Sequence, residues 1–460
     1  MWTRSSQKKQ HRFLNYVHHH NSRALKSTTS LILATLMLLT PLSGFASLEM
    51  SKPEKLGVSS ENLQRLSELS KQYVDEGRVA GIVNLVLRNG EVIHYETTGN
   101  RGADYASPMQ VDDLFRIYSM TKPITAVAAM QLYEQGKFQL SDPVTKFVPE
   151  LKDLKVLNAS GQFEAVAREM TMHQLLMHTT GMSYGFAAAT DAVDQRYAMA
   201  DLWASKDLDE LAVRIGKLPL KFHPGDRWHY SVAVDITGIV VQRLSGQPFD
   251  EYLQEHIFAP LGMADTFFEV PESERGRFVP NHFINPETGA LANTQYAPPP
   301  FSYRDGVAMM DYFDVSLFSG GGGLVSTAMD YAKFSEMMRR GGTLNGAHIL
   351  GPKTVAFTTK NHLAEDSMLD SWGDKPTDDI GRPGFGFGLG FGVVTDSTAI
   401  SIMGSDGEYN WGGAAGTVFW IDPVEELVVI SMIQLMQSPW PLRSDVKVAV
   451  YQALSETYEK

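Results

Sequence analysis

The stretch SMTKPITAVAAMQLYEQG, residues 119–136, places a serine and a lysine three positions apart at the start of an apolar run. The apolar residues recur with helical periodicity and the run stops at Gly136, which predicts a helix. Pro123 falls in the first turn of that helix, where a missing N–H group is tolerated. Residues three positions apart share a helix face, so the ammonium of Lys122 can reach the hydroxyl of Ser119. Because the N–H groups and positive potential of the helix N-terminus point at the same place, Ser119 is a candidate nucleophile.

The spacing Ser-x-x-Lys also occurs at three other serines, so the spacing alone does not identify the nucleophile. Ser5 and Ser6 lie in an N-terminal segment of a different character. Ser444 opens a predicted amphipathic helix that runs to about Glu459, and Lys447 is expected to form a solvated pair with it. What distinguishes Ser119 is its position at the start of a long apolar helix.

A second serine motif competes with Ser119. Residues 181–185 read GMSYG, which fits the nucleophile elbow of α/β-hydrolases around Ser183. That chemistry needs a strand, a strained turn and then a helix. Here the preceding residues belong to a predicted helix that opens with a capping box at Thr171–Gln174 and ends near Gly181. The hydrolase order also needs a late histidine, and none follows His362, so Ser183 is the weaker candidate.

The composition is that of a globular protein with an acidic surface. The chain has 460 residues, of which 43% are hydrophobic and 20% charged. The absence of cysteine excludes thiol catalysis, thiolate metal sites and disulfides. Residues 1–46 contain six of the 40 basic residues and no acidic one, which leaves 34 basic against 53 acidic residues, a net charge of −19. Such a surface argues against nucleic acid or an anionic membrane as a partner.

The N-terminal segment, residues 1–46, has the pattern of a signal peptide. A basic region without acids precedes a short apolar run, Leu31–Leu39, and small residues end the segment at Ala46. The apolar run is too short to cross about 30 Å of hydrocarbon. We therefore expect a periplasmic or secreted protein with no stable membrane anchor after cleavage, the alternatives being an uncleaved anchor or a misjudged start codon. His18–His20 are interpreted as part of this leader rather than as a metal site.

Strand signals lie at both ends of the remaining chain. Residues 79–99 predict a hairpin around the turn Asn89-Gly90, and residues 409–436 predict strands around a turn at Asp422-Pro423. The signals between them are mostly helical. Asp142-Pro143 predicts a helix start with proline in the first position, and a helix is expected from Val232 to Leu244 before Gly246.

These elements predict a single sheet built from both chain ends. The fold class is α/β of the α+β type: an antiparallel sheet flanked by helices, with a mostly helical region inserted. Two Gly/Pro-rich stretches, 285–323 and 373–392, are predicted loops that lie either near an active site or elsewhere on the surface.

Longer segments carry a family resemblance. After Ser119-x-x-Lys122 they are HQLLMHTTGM at 173–182, FHPGDRWHYS at 222–231, PLGMADTFF at 260–268 and GGGGLVSTAMDYAKF at 320–334. In this order they resemble the serine β-lactamase and penicillin-binding protein superfamily, and more narrowly the class C β-lactamase-related esterases of family VIII. The resemblance extends over about residues 55–455. It implies a catalytic domain at 47–460, with a sheet subdomain at about 47–125 plus 325–460 and a helical subdomain at about 126–324.

The resemblance assigns roles around the nucleophile. Tyr230 takes the place of the family's catalytic tyrosine beside Ser119 and Lys122. Val232 stands where class C β-lactamases carry asparagine. Asp235 fits the Tyr-Ser-then-Asp pattern of family VIII, which implies support for the site; the alternative is an acid on a helix surface.

The family's Lys-Thr-Gly edge strand is replaced here by a tryptophan motif. Residues 411–416 read WGGAAG, which resembles the Trp-x-Gly variant of family VIII. By that resemblance Trp411, Gly412 and Gly413 line the substrate site, and the Ala414 N–H forms an oxyanion hole with the Ser119 N–H. The alternative for Trp411 is a tryptophan of the core.

Several other residues are candidates for the cleft. Tyr184 and Trp228 are assigned either to the cleft or to the core. His178, His223 and His229 are interpreted as structural because no metal-ligand spacing is present, and no metal or cofactor is predicted.

The resemblance implies two-step acyl transfer from Ser119 to water. A small-molecule ester with a small neutral acyl group is the expected substrate. A β-lactamase or D-Ala/peptidoglycan amide hydrolase of the same fold, acting on a lactam or peptide, and a non-catalytic penicillin-recognising sensor remain alternatives. Tyr230 and Lys122 are expected to titrate as a coupled pair, and either is a candidate proton acceptor. The oligomeric state stays open.

Overall fold

The computed structural model describes residues 48–104, 106–294, 312–364 and 383–458. The described residues form one compact unit. The predicted signal peptide lies outside the described residues, as do large parts of the two predicted loops. Within the described ranges, no helix is long and apolar enough to cross a membrane.

The α-helices are α1 (Ser60–Asp75), α2 (Thr121–Glu134), α3 (Met172–Leu176), α4 (Ala192–Met199), α5 (Leu208–Ile215), α6 (Ala233–Ser245), α7 (Phe249–Leu253), α8 (Ala259–Leu261), α9 (Ala328–Arg339), α10 (Pro352–Thr358), α11 (Ser397–Ile400) and α12 (Leu442–Tyr451). The strands are β1 (Gly81–Arg88), β2 (Glu91–Gly99), β3 (Phe115–Arg116), β4 (Lys155–Leu157), β5 (Phe163–Ala165), β6 (His282–Ile284), β7 (Leu291–Asn293), β8 (Val325–Ser326), β9 (Thr343–Leu344), β10 (Ala347–His348), β11 (Phe385–Phe387), β12 (Gly392–Val394), β13 (Tyr409–Gly412), β14 (Val418–Asp422) and β15 (Leu427–Met432).

Within the part of the chain that the structure describes, seven strands form the main sheet, in the order β11-β12-β13-β14-β15-β1-β2, and all neighbours are antiparallel. The predicted hairpin is confirmed: Asn89 and Gly90 both adopt positive φ, 51° and 82°, as a tight two-residue turn requires. The turn at Asp422-Pro423 is also confirmed, because the Asp422 carboxylate accepts the N–H groups of Val424 and Glu425. The pairing of β1 with β15 joins the two ends of the chain, as predicted.

Side chains alternate across this sheet into two cores. On β1, Ile82 and Val86 pack with α1 and α12, whereas Val83 and Leu85 pack into the larger core with the remaining helices. The larger core includes α2, whose apolar residues are buried all round and which packs against α6. The N-terminal end of α2 is therefore held rigidly, which matters because it carries the serine.

Two of the predicted helices differ from the structure. The capping box at Thr171 is present, but α3 ends at Leu176 rather than near Gly181, because His178 adopts a left-handed φ of 57°. At Asp142-Pro143 the helix is a single 3₁₀ turn, Val144–Lys146, with Pro143 rather than Asp142 at its N-cap. Asp142 does not cap it because its carboxylate accepts the N–H of Gln139 behind it. The α6 prediction is confirmed, with Gly246 in a left-handed conformation at its end.

The C-terminal helix is shorter and its lysine more buried than predicted. The helix α12 stops at Tyr451, after which the N–H groups of Ser455 and Glu456 bind the Gly57 carbonyl. Lys447 is not a solvated partner of Ser444: it is 1% exposed and lies 2.5 and 2.6 Å from the two carboxylate oxygens of Glu408. A buried carboxylate needs such a charge partner, and Glu408 is distant in sequence.

The two predicted loops are only partly irregular. Residues 291–293 form β7 and residues 385–387 form β11. The described part 312–323 contains neither helix nor strand and reaches the neighbourhood of Lys122.

Candidate active site

Ser119 lies at the entry to α2. A 3₁₀ turn, Tyr118–Met120, leads directly into the helix, and Ser119 remains partly exposed. Tyr118 adopts a left-handed φ of 42°, a conformation that costs a non-glycine residue about 1–2 kcal/mol. The buried Asn281 side chain donates a hydrogen bond of 2.9 Å to the Tyr118 hydroxyl. The surrounding structure thus holds a strained residue directly before the serine, as is common at functional sites.

Lys122 is buried beneath the serine. Its ammonium lies 3.1 Å from Ser119 Oγ and donates to the Gly321 carbonyl oxygen at 2.6 Å, while the residue is 1% exposed. Burial lowers the pKa of Lys122 to about 7, although the nearby Asp235 carboxylate acts to raise it. A substantial fraction of Lys122 is therefore the neutral amine at neutral pH.

Tyr230 approaches the serine from the segment before α6. Its hydroxyl donates to Ser119 Oγ at 2.6 Å, and Lys122 Nζ lies 4.5 Å from the centre of its ring. Burial raises the pKa of Tyr230, whereas hydrogen bonds with Ser119 and the Trp411 side chain act to lower it. The phenol is therefore protonated in the resting site, beside a lysine that loses its proton more readily.

Asp235 supports this site from inside α6. It is fully buried; one carboxylate oxygen accepts from the Ser319 hydroxyl at 2.5 Å and the Gly321 N–H at 3.0 Å. The other oxygen accepts from the Tyr184 hydroxyl at 3.0 Å. Burial raises the pKa of Asp235, and the Lys122 ammonium opposes that rise. The alternative of a helix-surface acid is wrong.

Gly321 connects Asp235 to Lys122. Its N–H is held by Asp235 and its carbonyl oxygen accepts from Lys122. A Cβ at this position would lie 2.3 Å from the Asp235 carboxylate and 2.5 Å from the Tyr184 hydroxyl, so only glycine fits. This carbonyl was not predicted from the sequence, in which the glycine run at 320–323 was the available signal.

The tryptophan motif lies at the end of β13. Trp411 is buried with its ring centre 5.6 Å from that of Tyr230 and 5.2 Å from that of Phe387, as a tryptophan of the core is expected to be; its contact with substrate stays a prediction. A Cβ on Gly413 would lie 2.6 Å from the Ile117 carbonyl oxygen, which brings this segment close to the residues before Ser119. A Cβ on Gly412 would meet Arg443 of α12 instead. Ala414 follows in an exposed turn, and its N–H as an oxyanion donor stays a prediction.

His178 brackets Tyr230, a role that the sequence did not reveal. Its ring Nδ1 accepts the Ser231 N–H at 3.3 Å and its backbone oxygen accepts the His229 N–H at 2.8 Å. Its ring centre lies 4.9 Å from that of Tyr230. Burial lowers the pKa of His178, as does the Lys122 charge, so the ring is neutral. The residues on both sides of Tyr230 are thus fixed by one histidine.

Ser183 occupies a closed polar network. It is 1% exposed, donates to the Asp194 carboxylate and accepts the Gly185 N–H at 3.1 Å, with His229 Nε2 at 3.3 Å. Lys221 Nζ lies 3.1 Å from the same Asp194 oxygen.

The remaining candidate residues lie partly at the cleft and partly in the core. Tyr184 is partly exposed beside Tyr230, whereas Trp228 is completely buried. His223 lies 3.2 Å from Glu164. No group of three potential metal ligands occurs among the residues that the structure describes.

Comparisons with known proteins identify the family of this chain. A model of the Beta-lactamase family matches residues 66–453. An uncharacterized protein of Mycobacterium tuberculosis is 33% identical over 374 residues, 79% of this chain and 88% of that protein. Esterase EstB of Burkholderia gladioli is 31% identical over 394 residues, 84% of this chain and 94% of EstB. The solved structure of EstCE1, described as a hydrolase with promiscuous acyltransferase activity, has a TM-score of 0.70 at 25% identity and covers 85% of this chain and 99% of its own. The chain therefore belongs to the beta-lactamase family, in the superfamily of serine β-lactamases and penicillin-binding proteins, and is related to its esterases.

Proposed function

We propose that this serine hydrolase cleaves carboxylic esters through an acyl-enzyme on Ser119. One observation carries the proposal: Ser119 Oγ lies 3.1 Å from Lys122 Nζ and 2.6 Å from Tyr230 Oη. A serine hydroxyl becomes a nucleophile when a neighbouring base takes its proton, and both neighbours are within reach. The relatedness to EstB supports an ester as the substrate class.

Lys122 is the proposed proton acceptor. Because burial lowers its pKa to about 7, it is the neighbour of Ser119 that is available in a basic form near neutral pH. As Ser119 Oγ bonds to the ester carbonyl carbon, its proton passes to the Lys122 amine. The Tyr230 phenol then gives its proton to the leaving alkoxide, and Lys122 restores the phenol. A water molecule then attacks the acyl-enzyme in the same way: its proton passes to Lys122, Tyr230 protonates Ser119 Oγ, and the acid is released.

The proposed oxyanion hole consists of two backbone N–H groups, those of Ser119 and Ala414. Ser119 lies in the turn that opens α2, and the first N–H groups of a helical segment have no carbonyl partner within it. Ala414 lies in the turn that follows Gly413, which approaches Ile117. Such donors stabilise the negative charge of the tetrahedral intermediate.

The proposed preference is for small neutral acyl esters over carboxylated lactams. The related lactamases use a lysine and an asparagine where this chain has Trp411 and Val232. A charge-assisted hydrogen bond to a substrate carboxylate is worth about 1.5–3 kcal/mol, so its loss lowers efficiency roughly ten- to a hundredfold. Neutral esters do not use that contact.

The test compares p-nitrophenyl butyrate, nitrocefin and a D-Ala-D-Ala peptide as substrates of the purified wild type. We expect kcat/KM for the ester to exceed the other two by at least tenfold. A wild type that prefers nitrocefin would replace the esterase proposal with a lactamase. A wild type inactive on all three, and unlabelled by fluorophosphonate, would favour a sensor.

We also propose that the chain is exported and that its leader is removed after Ala46. The basic, acid-free segment with a short apolar run supports this. N-terminal sequencing of the protein from an osmotic-shock fraction is the test, with Ser47 as the expected first residue. A cytosolic product that begins at Met1 would contradict the proposal.

A further inference from the structure

Three aromatic side chains extend from the reacting groups to the surface. The ring centre of Tyr184 lies 5.3 Å from that of Tyr230, 5.3 Å from that of Phe186 and 6.1 Å from that of Trp203. The rings of Phe186 and Trp203 lie within 29° and 30° of the Tyr184 plane. We call Tyr184, Phe186 and Trp203 the aromatic lane. It begins at buried Tyr230 and reaches Phe186, which is 64% exposed.

The backbone on both sides of Phe186 is fixed. The Gly185 N–H binds the Ser183 hydroxyl at 3.1 Å, and the Ala187 N–H binds the Asp194 carboxylate at 3.0 Å. A Cβ on Gly185 would lie 2.9 Å from the Asp194 carbonyl oxygen, so this segment is packed tightly on α4. Because the backbone that carries Phe186 is already ordered, only its side chain has freedom left to lose when a ligand contacts it.

The position of the lane relates it to one half of the substrate. Tyr184 contacts both groups that move protons: its ring centre lies 5.0 Å from Lys122 Nζ as well as 5.3 Å from the Tyr230 ring. A departing alkoxide must be within hydrogen-bond reach of its proton donor, here Tyr230. A carbon substituent on that oxygen starts beside Tyr230, whose ring contacts Tyr184, and Tyr184 in turn contacts Phe186 and Trp203.

We infer that the aromatic lane binds the alcohol portion of the ester and favours alcohols that carry an aromatic ring. This inference rests on the proposed ester hydrolysis and names the substrate class more narrowly: a small acyl group joined to an aryl-substituted alcohol. Offset stacking between the substrate ring and Phe186 or Trp203 supplies the selectivity, because aromatic rings gain from such contacts beyond the area that they bury.

The test uses three esters. Propyl butyrate is the reference, 3-phenylpropyl butyrate adds a ring on the alcohol, and propyl 4-phenylbutyrate adds it on the acyl group. Propyl butyrate and 3-phenylpropyl butyrate have the same acyl group. In 3-phenylpropyl butyrate three carbons separate the ring from the ester oxygen, so the two leaving alkoxides differ little in basicity. We expect the wild type to hydrolyse 3-phenylpropyl butyrate with the highest kcat/KM.

Two variants separate the lane from general effects. Phe186→Ala should lower the preference for 3-phenylpropyl over propyl butyrate, measured as the ratio of the two kcat/KM values, by about two- to tenfold, the size of one aromatic contact. Phe163→Ala removes another exposed aromatic, 53% accessible on β5, and should leave the preference unchanged.

The outcomes distinguish the inference from the proposed function. Hydrolysis of all esters without an alcohol-ring preference, or a preference that survives Phe186→Ala, would overturn the inference and leave the esterase intact. A preference for propyl 4-phenylbutyrate that Phe186→Ala removes would place the acyl group in the lane and overturn it as well. No hydrolysis of any ester would refute the proposed function itself.

Discussion

Ser119 and Ser183 each lie in a hydrolase motif, and each hydrogen-bonds with groups that catalysis uses. Ser119 is partly exposed and contacts Lys122 and Tyr230. Ser183 is buried and contacts Asp194 and His229, so it has the residue types of a catalytic triad. The two sites differ in how these groups are connected and in whether a substrate can reach the serine.

The connections at Ser183 are in the wrong order for catalysis. In a triad the histidine lies between serine and aspartate, whereas here the Asp194 carboxylate binds the Ser183 hydroxyl directly. Asp194 is further held by Lys221. At Ser119 the neighbouring lysine has a pKa lowered to about 7 by burial, and is therefore available as a base. A motif identifies a nucleophile only when the geometry and access agree.

The largest expected difference is between alanine substitutions at the two serines. Ser119→Ala should lower ester hydrolysis by at least about 10⁴-fold, as loss of the nucleophile does in serine proteases, and abolish fluorophosphonate labelling. Ser183→Ala should retain labelling and most activity. The measurements are kcat/KM for p-nitrophenyl butyrate and gel labelling of both variants. Labelling that survives in Ser119→Ala and disappears in Ser183→Ala would reverse the assignment.

Removing the tyrosine hydroxyl should give the next largest effect. Tyr230→Phe takes away the proposed proton donor but keeps the ring, so kcat should fall by about 10²–10⁴-fold while the fold is retained. Tyr252→Phe is the matched control, because it removes a buried hydroxyl that binds Gln131. A Tyr230→Phe variant within a few-fold of wild type would exclude Tyr230 from proton transfer.

The pH dependence sharpens the contrast between the two networks. In the proposed mechanism the neutral amine of Lys122 is the active form, so kcat/KM should rise with pH through about 7 and then level off. Asp235→Asn removes a negative charge that raises the pKa of Lys122, so the rise should move to lower pH. Asp194→Asn, in the Ser183 network, should leave the profile in place. A pH profile unchanged by Asp235→Asn would contradict the proposal that the pKa of Lys122, raised by Asp235, sets the profile.

The smallest expected effect concerns stability at Ser183. Asp194→Asn leaves the buried Ser183 hydroxyl with a weaker partner and removes the charge that faces Lys221, which should lower the free energy of unfolding by about 1–3 kcal/mol. Activity on propyl butyrate should persist. Thermal and denaturant unfolding measure the loss. A strong loss of kcat without loss of stability would show that the network takes part in the chemistry.

Local sequence rules predicted the elements that depend on local contacts. The hairpin at Asn89-Gly90 and the capping box at Thr171 are set by neighbouring residues, and both are present. The predicted end of α3 near Gly181 was wrong because His178 forms a hydrogen bond with Ser231, some fifty positions away. The prediction of a solvated Lys447 was wrong for the same reason, since its partner Glu408 lies 39 positions earlier, just before β13.

The candidate site shows the same division. The spacing of Ser119 and Lys122 on one helix predicted their contact. The approach of Tyr230 was implied only by family resemblance. The hydrogen bond from Lys122 to the Gly321 carbonyl oxygen depends on where residues 319–323 meet α2 and α6. No local sequence pattern predicts that meeting.

The pairing of β1 with β15 has a consequence for how the chain folds during synthesis. Val83 pairs with Met432, 349 positions later, and buried Arg88 binds Glu425 across the same seam at 2.7 Å. Contacts so distant in sequence form slowly, because a long loop must close first. The β1–β2 hairpin therefore leaves the ribosome with one edge unpaired and waits for almost the whole polypeptide before that edge is covered. A nascent or truncated chain that lacks β15 exposes an apolar strand edge, and such edges are templates for aggregation.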